Sequence, residues 1–498
     1  MYKYTSKQIR LPGDFFLPFG GKLNPENRWV ILSSMIPWEE FEEEYATNFK
    51  KTKRGQEAYN VRIALGSLII KERLGLSDEE TVNQITENPY LQYFLGFESY
   101  TEKQPFDPSQ LTHFRKRFPE DMLNRINETI IKHGSANDEG DDDDGTLQGN
   151  SSNEETKEIE TENSGTLILD ATCTPADIQY PTDIRLLNDA RELIEGIIDI
   201  LHNPDKGITE RPRTYRQKAR KEYLSFTKQR KPKSKRVHKI RGKILRYIRR
   251  QLKFIERFSN KDRLTLLNRQ QYKNLLVISE LYRQQLEMYK KKTTRIEDRI
   301  VSISQPHVRP IVRGKASAST EFGAKVEISV ENGFVRSEII SWDAFNEGTT
   351  LKDAVERYKN RNGFYPEVVL ADKIYRNRKN REYCKGNNIR LSGPSLGRKT
   401  EKIKKEEQKL EYLDNCNRNQ VEGKFGEGKR KYSLGKIMTK LAETSATTIV
   451  LSLIVMNLEK KLRLLSCLFI KCFETIKIGV GSNTLFGFLD LKSKYCFH

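Results

Sequence analysis

The spacing of apolar residues divides the chain into stretches of different period. Across residues 1–133 the spacing is helical. Gln56 to Leu74 carries Val61, Ala64, Leu65, Leu68 and Ile69 on one face. Ser77, with Glu80 three residues on, predicts a capping box at the next helix start. Asp107-Pro108 predicts an N-cap and a proline at the first helical position. The helix it opens runs through His113-Phe114-Arg115-Lys116-Arg117 and stops before Pro119. After residue 165 the period changes. Thr166 to Asp170 is a short apolar run ending in an acid, which predicts a buried strand. About 130 residues of helix and charge follow, from roughly Leu186 to Ser304. Ala324–Val330 and Phe334–Ile340 then predict a hairpin turning at Glu331-Asn332-Gly333. A helix is expected over Thr349–Tyr358 and a second acid-ended strand over Glu367–Asp372. Further elements are a helix over Arg376–Lys385, a strand over Ile389–Ser392, a helix from Asn417 to about Lys440, and an apolar helix over Ala446–Leu465. Strands separated by helices in this order predict an α/β domain behind an all-helical one.

Composition changes the picture in two places. The chain of 498 residues holds 88 Lys and Arg against 68 Asp and Glu, a net charge of +20. Ser135 to Gly165 holds eleven acids against Lys157 alone, so it carries 1 − 11 = −10 and the remainder +30. That segment has few apolar residues with which to fold, and reads as an acidic disordered linker. A surplus as large as the remainder's suits a polyanion, nucleic acid above all. No apolar run reaches the ~18 residues a membrane span needs, and the N-terminus has no apolar signal core. The six cysteines form no CxxC pair and the six histidines no HxxxH cluster, which argues against zinc and a disulfide framework. A cytoplasmic protein is expected.

Candidate chemistry lies in the acid-ended strands. If Asp170 and Asp372 close adjacent strands of one sheet, both carboxylates emerge at one edge and can share a divalent ion. Oxygen-only ligands favour Mg²⁺ or Mn²⁺. Two such ions ~3.5–4 Å apart would activate the attacking oxygen and stabilise the leaving one. An Asp at a strand end also serves as a simple cap, and a single one would be read that way. Further on, Arg418, Glu422 and Lys429 fall four and seven residues apart on one helix face, spanning ~16 Å at ~1.5 Å per residue. Glu427 points elsewhere. Gly423 to Arg430 imitates a phosphate-binding loop, but it ends in Arg rather than Ser or Thr and no apolar strand precedes it. Nucleotide hydrolysis is therefore not expected.

The spacing R-x3-E-x6-K at Arg418, Glu422 and Lys429 resembles the signature around the third acid of bacterial DDE insertion-sequence transposases with an RNase H-like core. Tyr180-Pro-Thr-Asp183, Leu186-Leu-Asn-Asp-Ala-Arg191, Arg309-Pro-Ile-Val-Arg313-Gly-Lys315 and Phe322-Gly-Ala-Lys325 add to the resemblance, as does Phe106-Asp-Pro-Ser-Gln-Leu111. The family's larger signature begins with Tyr three residues before the Arg, where this chain has Asn415. The resemblance implies that Asp170, Asp372 and Glu422 are the catalytic, metal-binding acids, holding two Mg²⁺ or Mn²⁺ ions. It also implies that Arg418, Lys429, Arg313, Lys315 and Lys325 are accessory phosphate-binding cations. The core becomes an RNase H-like mixed sheet with flanking helices, interrupted by a long insert. The implied reaction is cleavage at element ends, followed by strand transfer into target DNA. The implied partners are terminal inverted repeats, target duplex and a second copy of the chain, at the nucleoid.

The expected organisation is thus a helical DNA-binding domain (1–133), the linker (134–165), a catalytic domain (166–465) with a basic helical insert (186–304), and an unassigned tail (466–498). Arg115, Lys116 and Arg117 suit either the last helix of a helix-turn-helix or the solvated end of a plain bundle. Arg211 to Arg257 carries twenty Lys and Arg against two acids. So one-sided a charge favours DNA contact through Lys233, Lys235, Arg236, Lys239 and Arg241, over a merely solvated face. Two other functions remain open: a transposase-derived DNA-binding protein without catalysis, and a ribonuclease-like enzyme.

Overall fold

The computed structural model describes residues 11–17, 20–49, 57–133, 162–202, 212–258, 261–312, 320–394 and 401–479. Most of the expected acidic linker, Arg313, Lys315 and the chain beyond 479 lie outside these residues.

Among the described residues seven α-helices come first: α1 (Arg28–Met35), α2 (Trp38–Ala46), α3 (Val61–Leu74), α4 (Asp78–Glu87), α5 (Pro89–Phe94), α6 (Gln110–Arg117) and α7 (Glu120–Lys132). Their ends follow local chemistry. Asn60 caps α3 by accepting from Ile63 N, and Gly75 ends it in the left-handed region. Ser77 Oγ accepts from Glu80 N at 3.1 Å to start α4. Asp107 accepts from Ser109 N at 2.9 Å and makes a turn, so α6 begins two residues later than the expected cap would set it.

The second half is built on one six-stranded mixed sheet: β1 (Thr166–Pro175), β2 (Arg309–Val312), β3 (Thr320–Glu331), β4 (Phe334–Ser341), β5 (Val368–Leu370) and β6 (Arg390–Leu391). The order is β2-β3-β1-β5-β6, with β4 also paired to β3. Around β1 the pairing to β3 is antiparallel and to β5 parallel. The hairpin turns through Asn332 and Gly333, both at positive φ, as the sequence predicts. One expectation is corrected: β1 does not end at Asp170. It continues to Pro175 because Ala171 to Pro175 still has partners in Glu327 to Gly323 of β3.

Between β1 and β2 lies the insert: α8 (Asp183–Leu201), α9 (Arg216–Thr227), α10 (Ser234–Phe258), α11 (Lys261–Leu264) and α12 (Arg269–Lys291). It has its own core, in which Leu187, Ile194 and Ile198 meet Ile244, Ile248, Ile278 and Leu281. After β4 come α13 (Leu351–Asn362), α14 (Arg378–Gly386), α15 (Glu401–Lys431) and α16 (Ala442–Gly479).

Alternate residues of the central strands serve opposite faces. Leu167, Leu169 and Val369 pack with Leu351, Val355 and Tyr358 of α13. Ile168, Val326, Ile328 and Leu370 join a second cluster with Val421 of α15, Ile449 and Ile454 of α16, and the apolar faces of α3, α6 and α7. The helix expected to end near Leu465 runs on to Gly479. Among the described residues no helix is long and apolar enough to cross a membrane.

Candidate active site

Ile168 of β1 pairs with Leu370 of β5, and both side chains face α15. Two residues beyond this pair stand Asp170, still within β1, and Asp372, just past the end of β5, near enough for the charge of Asp372 to act on Asp170. Helix α15 crosses the face that Ile168 and Leu370 share. Val421 is fully buried against the sheet and Phe425 packs beside it, which turns Arg418, Glu422 and Lys429 toward the two aspartates' strands. The helix is tied down at both ends of this stretch. Asp414 takes a two-pronged bond from Arg390 of β6 at 2.7 and 2.8 Å, and Lys429 Nζ donates to Thr172 Oγ1 at 3.0 Å. Thr172 lies two residues beyond Asp170 on the same side of β1.

Arg418 reaches Asp372 at 3.4 Å and Glu422 at 3.9 Å, so a guanidinium stands between the second and third acids. Both carboxylates are largely exposed, at 55% and 60%. Asp170 is partly buried, and burial pushes its carboxyl up to about 6. The negative charges of Glu347 and Asp372 add to the rise, while the Ala171 N–H and Arg418 oppose it. Among the described residues no three His, Cys, Asp or Glu side chains are gathered closely enough to hold a metal. The donor set is nevertheless all oxygen. Burial and anionic neighbours hold the Asp170 carboxyl short of positive charge, which is the chemistry a divalent cation fits.

Two groups near the site were not foreseen. Glu347 sits in the turn before α13, paired with Lys325 at 2.9 Å, and its charge is the largest acting on Asp170. Lys325 also donates to Phe345 O at 2.7 Å, so this expected phosphate ligand is engaged within the protein. Glu327, fully buried on β3, accepts from Tyr375 Oη at 2.6 Å and from Thr350 Oγ1. It thereby links the sheet to the turn after Asp372 and to the turn that carries Glu347. Asn380 closes the same link by donating to Gly348 O and Tyr375 O, both at 2.8 Å. Glu327 left a trace in the sequence, a charge set within the apolar run Val326–Ile328. Glu347 left none, because only the chain's path brings it near β1.

The remaining expected residues divide by burial. Glu427 pairs with Arg463 of α16 at 3.1 Å, away from the aspartates, as its helical position implies. Arg115 is buried and holds Asp78 through two bonds, of 2.9 and 2.6 Å. Its helix α6 packs between α3 and α16, and Thr447 of α16 donates to Phe118 O at 2.9 Å. Arg117 lies over Phe49 and Phe114, which leaves Lys116 as the exposed cation of the three. Arg115 and Arg117 are thus engaged within the helical packing. In the insert, Lys233, Lys235, Arg236 and Lys239 are exposed. Arg241 is corrected to a structural residue, buried between Gln285 at 2.8 Å and Asp183 at 3.4 Å. Arg191 of the expected motif is likewise buried, on Glu195 at 2.6 Å and Asn188 at 2.9 Å.

A mixed sheet bearing Asp170 and Asp372, crossed by a helix carrying Arg, Glu and Lys, is in keeping with a transposase, and similarity to known proteins supplies the class. Residues 369–459 match the family described as Transposase DDE domain, and residues 18–117 match Transposase domain (DUF772). The first match spans Asp372, Arg418, Glu422 and Lys429; Asp170 lies outside both. An uncharacterized protein, ORF8 in the nfe locus of Rhizobium meliloti, is 31% identical over 176 residues, covering 34% of this chain and 73% of that protein. No solved structure matches. The chain belongs to the insertion-sequence DDE transposases.

Proposed function

We propose that the protein cleaves DNA at the ends of a mobile element and joins the freed 3′-hydroxyl to target DNA, using Asp170, Asp372 and Glu422. The observation that supports this reading is Arg418 of α15, which reaches both Asp372 and Glu422 and whose charge acts on Asp170. The strand order, three antiparallel strands followed by two parallel ones from β1 outward, supports an RNase H-like core.

Asp170, Asp372 and Glu422 would hold Mg²⁺ or Mn²⁺, which when bound supplies charge neutralisation and an activated oxygen at the scissile phosphate. Arg418 lies between Asp372 and Glu422, and with their charge met by a cation its guanidinium would be available to the phosphodiester. Lys429, held at Thr172, offers a second cation on the same face. Glu327, Tyr375 and Thr350 keep the turn after Asp372 and the turn bearing Glu347 at a set height on the sheet. The partners in this reading are terminal inverted repeats and target duplex. The helical domain (1–133) and the insert contribute contacts, a second copy of the chain brings the paired ends together, and the setting is the cytoplasmic nucleoid.

The test is cleavage of labelled element-end DNA with and without Mg²⁺. Asp170→Asn, Asp372→Asn and Glu422→Gln should each drop cleavage and strand transfer to background while metal-free DNA binding is retained. Their effects should be non-additive, because the acids act as one unit. Glu427→Gln is the control and should cleave normally. Activity surviving in all three acid variants would remove the mechanism. A wild-type protein that binds DNA but never cuts it would favour a transposase-derived binding protein.

A further inference from the structure

The insert carries more than scattered charge. On α9, Lys218 and Lys221 are three residues apart, about one helical turn; on α10, Arg236, Lys239 and Lys243 follow at three and four residues. The two rows line opposite sides of a groove of about 610 Å³. Its acid is Glu222, and that acid is already taken: Lys243 Nζ donates to it at 2.7 Å and Tyr247 Oη at 3.3 Å. This pair fastens α9 to α10 and sets the groove's width. Lys218, Lys221, Arg236 and Lys239 are exposed and form no ion pair with a described residue. Four like charges converging on one cleft repel each other unless a polyanion enters it.

We propose that this α9–α10 groove grips the phosphate backbone of duplex DNA without reading its sequence. The proposal rests on the transposase reading only for the identity of the polyanion. The α9 side of the groove, from Lys218 to Ser225, rises ~10 Å at ~1.5 Å per residue. A duplex presents a phosphate on each strand every ~3.4 Å of its axis, so the groove spans about three phosphates. Lysine and arginine tips against phosphates fix the protein's position on DNA and carry no base information. The groove therefore holds flanking or target DNA as firmly as it holds element ends.

The experiment uses the full chain in EDTA and measures fluorescence anisotropy on two 30-bp duplexes, one from the terminal repeats beside its own reading frame and one of random sequence. Changing Lys218, Lys221, Arg236 and Lys239 together to Gln should flatten the slope of log K against log salt by ~0.9 per lost contact, up to ~3.6, and equally for both duplexes. A second quadruple variant, with Arg269, Lys290, Lys292 and Arg295 changed to Gln, removes the same charge elsewhere on the insert and should flatten the slope less. An unchanged slope, an equal effect from the second set, or a loss confined to one duplex would overturn the proposal. Changing only Lys218 and Lys221 to Gln keeps the test open if the first quadruple fails to fold. It leaves the Glu222 clasp intact and should flatten the slope by up to ~1.8 for both duplexes; an unchanged slope counts against the groove. Failure of the transposase reading appears separately, as wild-type protein that never cleaves with Mg²⁺.

Discussion

Asp170 is a carboxylate held where an ionised group is uncomfortable, partly buried and facing Glu347 and Asp372. Its folded-state value of about 6 lies above the 3.8 of a free aspartate. The folded protein therefore binds the proton more tightly than the unfolded chain. Asp170's contribution to stability is fully present below pH ~3.8 and is lost as pH rises through ~6. Asp170→Asn removes that loss. The variant should match wild type near pH 4 and become more stable across pH 4 to 6, with a gain on the order of 1 kcal/mol above that. Urea denaturation of the metal-free proteins at several pH values measures it. A difference that does not widen with pH would mean that the carboxylate is comfortably solvated. The same substitution should abolish cleavage, so stability and activity move in opposite directions at one residue.

Helix α15 does its work through two kinds of glycine. A methyl added at Gly428 would meet Leu434 Cδ1 at 2.6 Å and Met456 Sδ at 3.2 Å, so the absent side chain lets α16 approach. At Gly423 nothing lies within 4 Å. Gly423→Ala should therefore stabilise the protein by ~0.5–1 kcal/mol, through helix propensity alone. Gly428→Ala has the same propensity gain but must displace Leu434 Cδ1 and crowd Met456 Sδ, and should stabilise less than Gly423→Ala. Thermal melts of the two variants decide the matter; equal stabilisation by both would mean that the α15–α16 approach is slack. Because α15 carries Arg418, Glu422 and Lys429, the Gly428 variant should also lose activity.

The whole molecule is organised around α16. Its apolar face is shared between the sheet and the N-terminal helices, in one cluster running from Leu65 and Phe118 to Val330 and Ile454. Polar pins cross the same boundary. Asn457 donates to Asn127 Oδ1 and Val335 O, each at 2.8 Å, and accepts from Val335 N at 2.8 Å. Arg73 pairs with Glu459, and Lys461 donates to the carbonyls of Ile130 and His133. A fragment ending at His133 leaves this surface bare. Expressed alone it should melt early and bind an apolar dye, and a supplied peptide covering 442–467 should restore a cooperative transition. A fragment that melts cooperatively unaided would show that the N-terminal helices carry their own core.

The sequence by itself determined most of the elements and their order, because period, caps and turn residues act over a few positions; the helix expected from Asn417 to about Lys440 instead spans Glu401–Lys431. Asn332-Gly333, Ser77 and the apolar runs before Asp170 and Asp372 needed no distant partner to be read. It also determined the face shared by Arg418, Glu422 and Lys429, since helical spacing alone sets that. Tertiary structure decided what depends on chain crossing. β1 outran Asp170 because β3 was there to pair with it. Glu347 came beside Asp170 and Glu327 beneath Asp372's turn, through contacts between segments twenty or more residues apart. The basic clusters were sorted the same way. Arg115 and Arg241 look like their exposed neighbours in one dimension, and only the helices packed over them make them ion-paired interior residues.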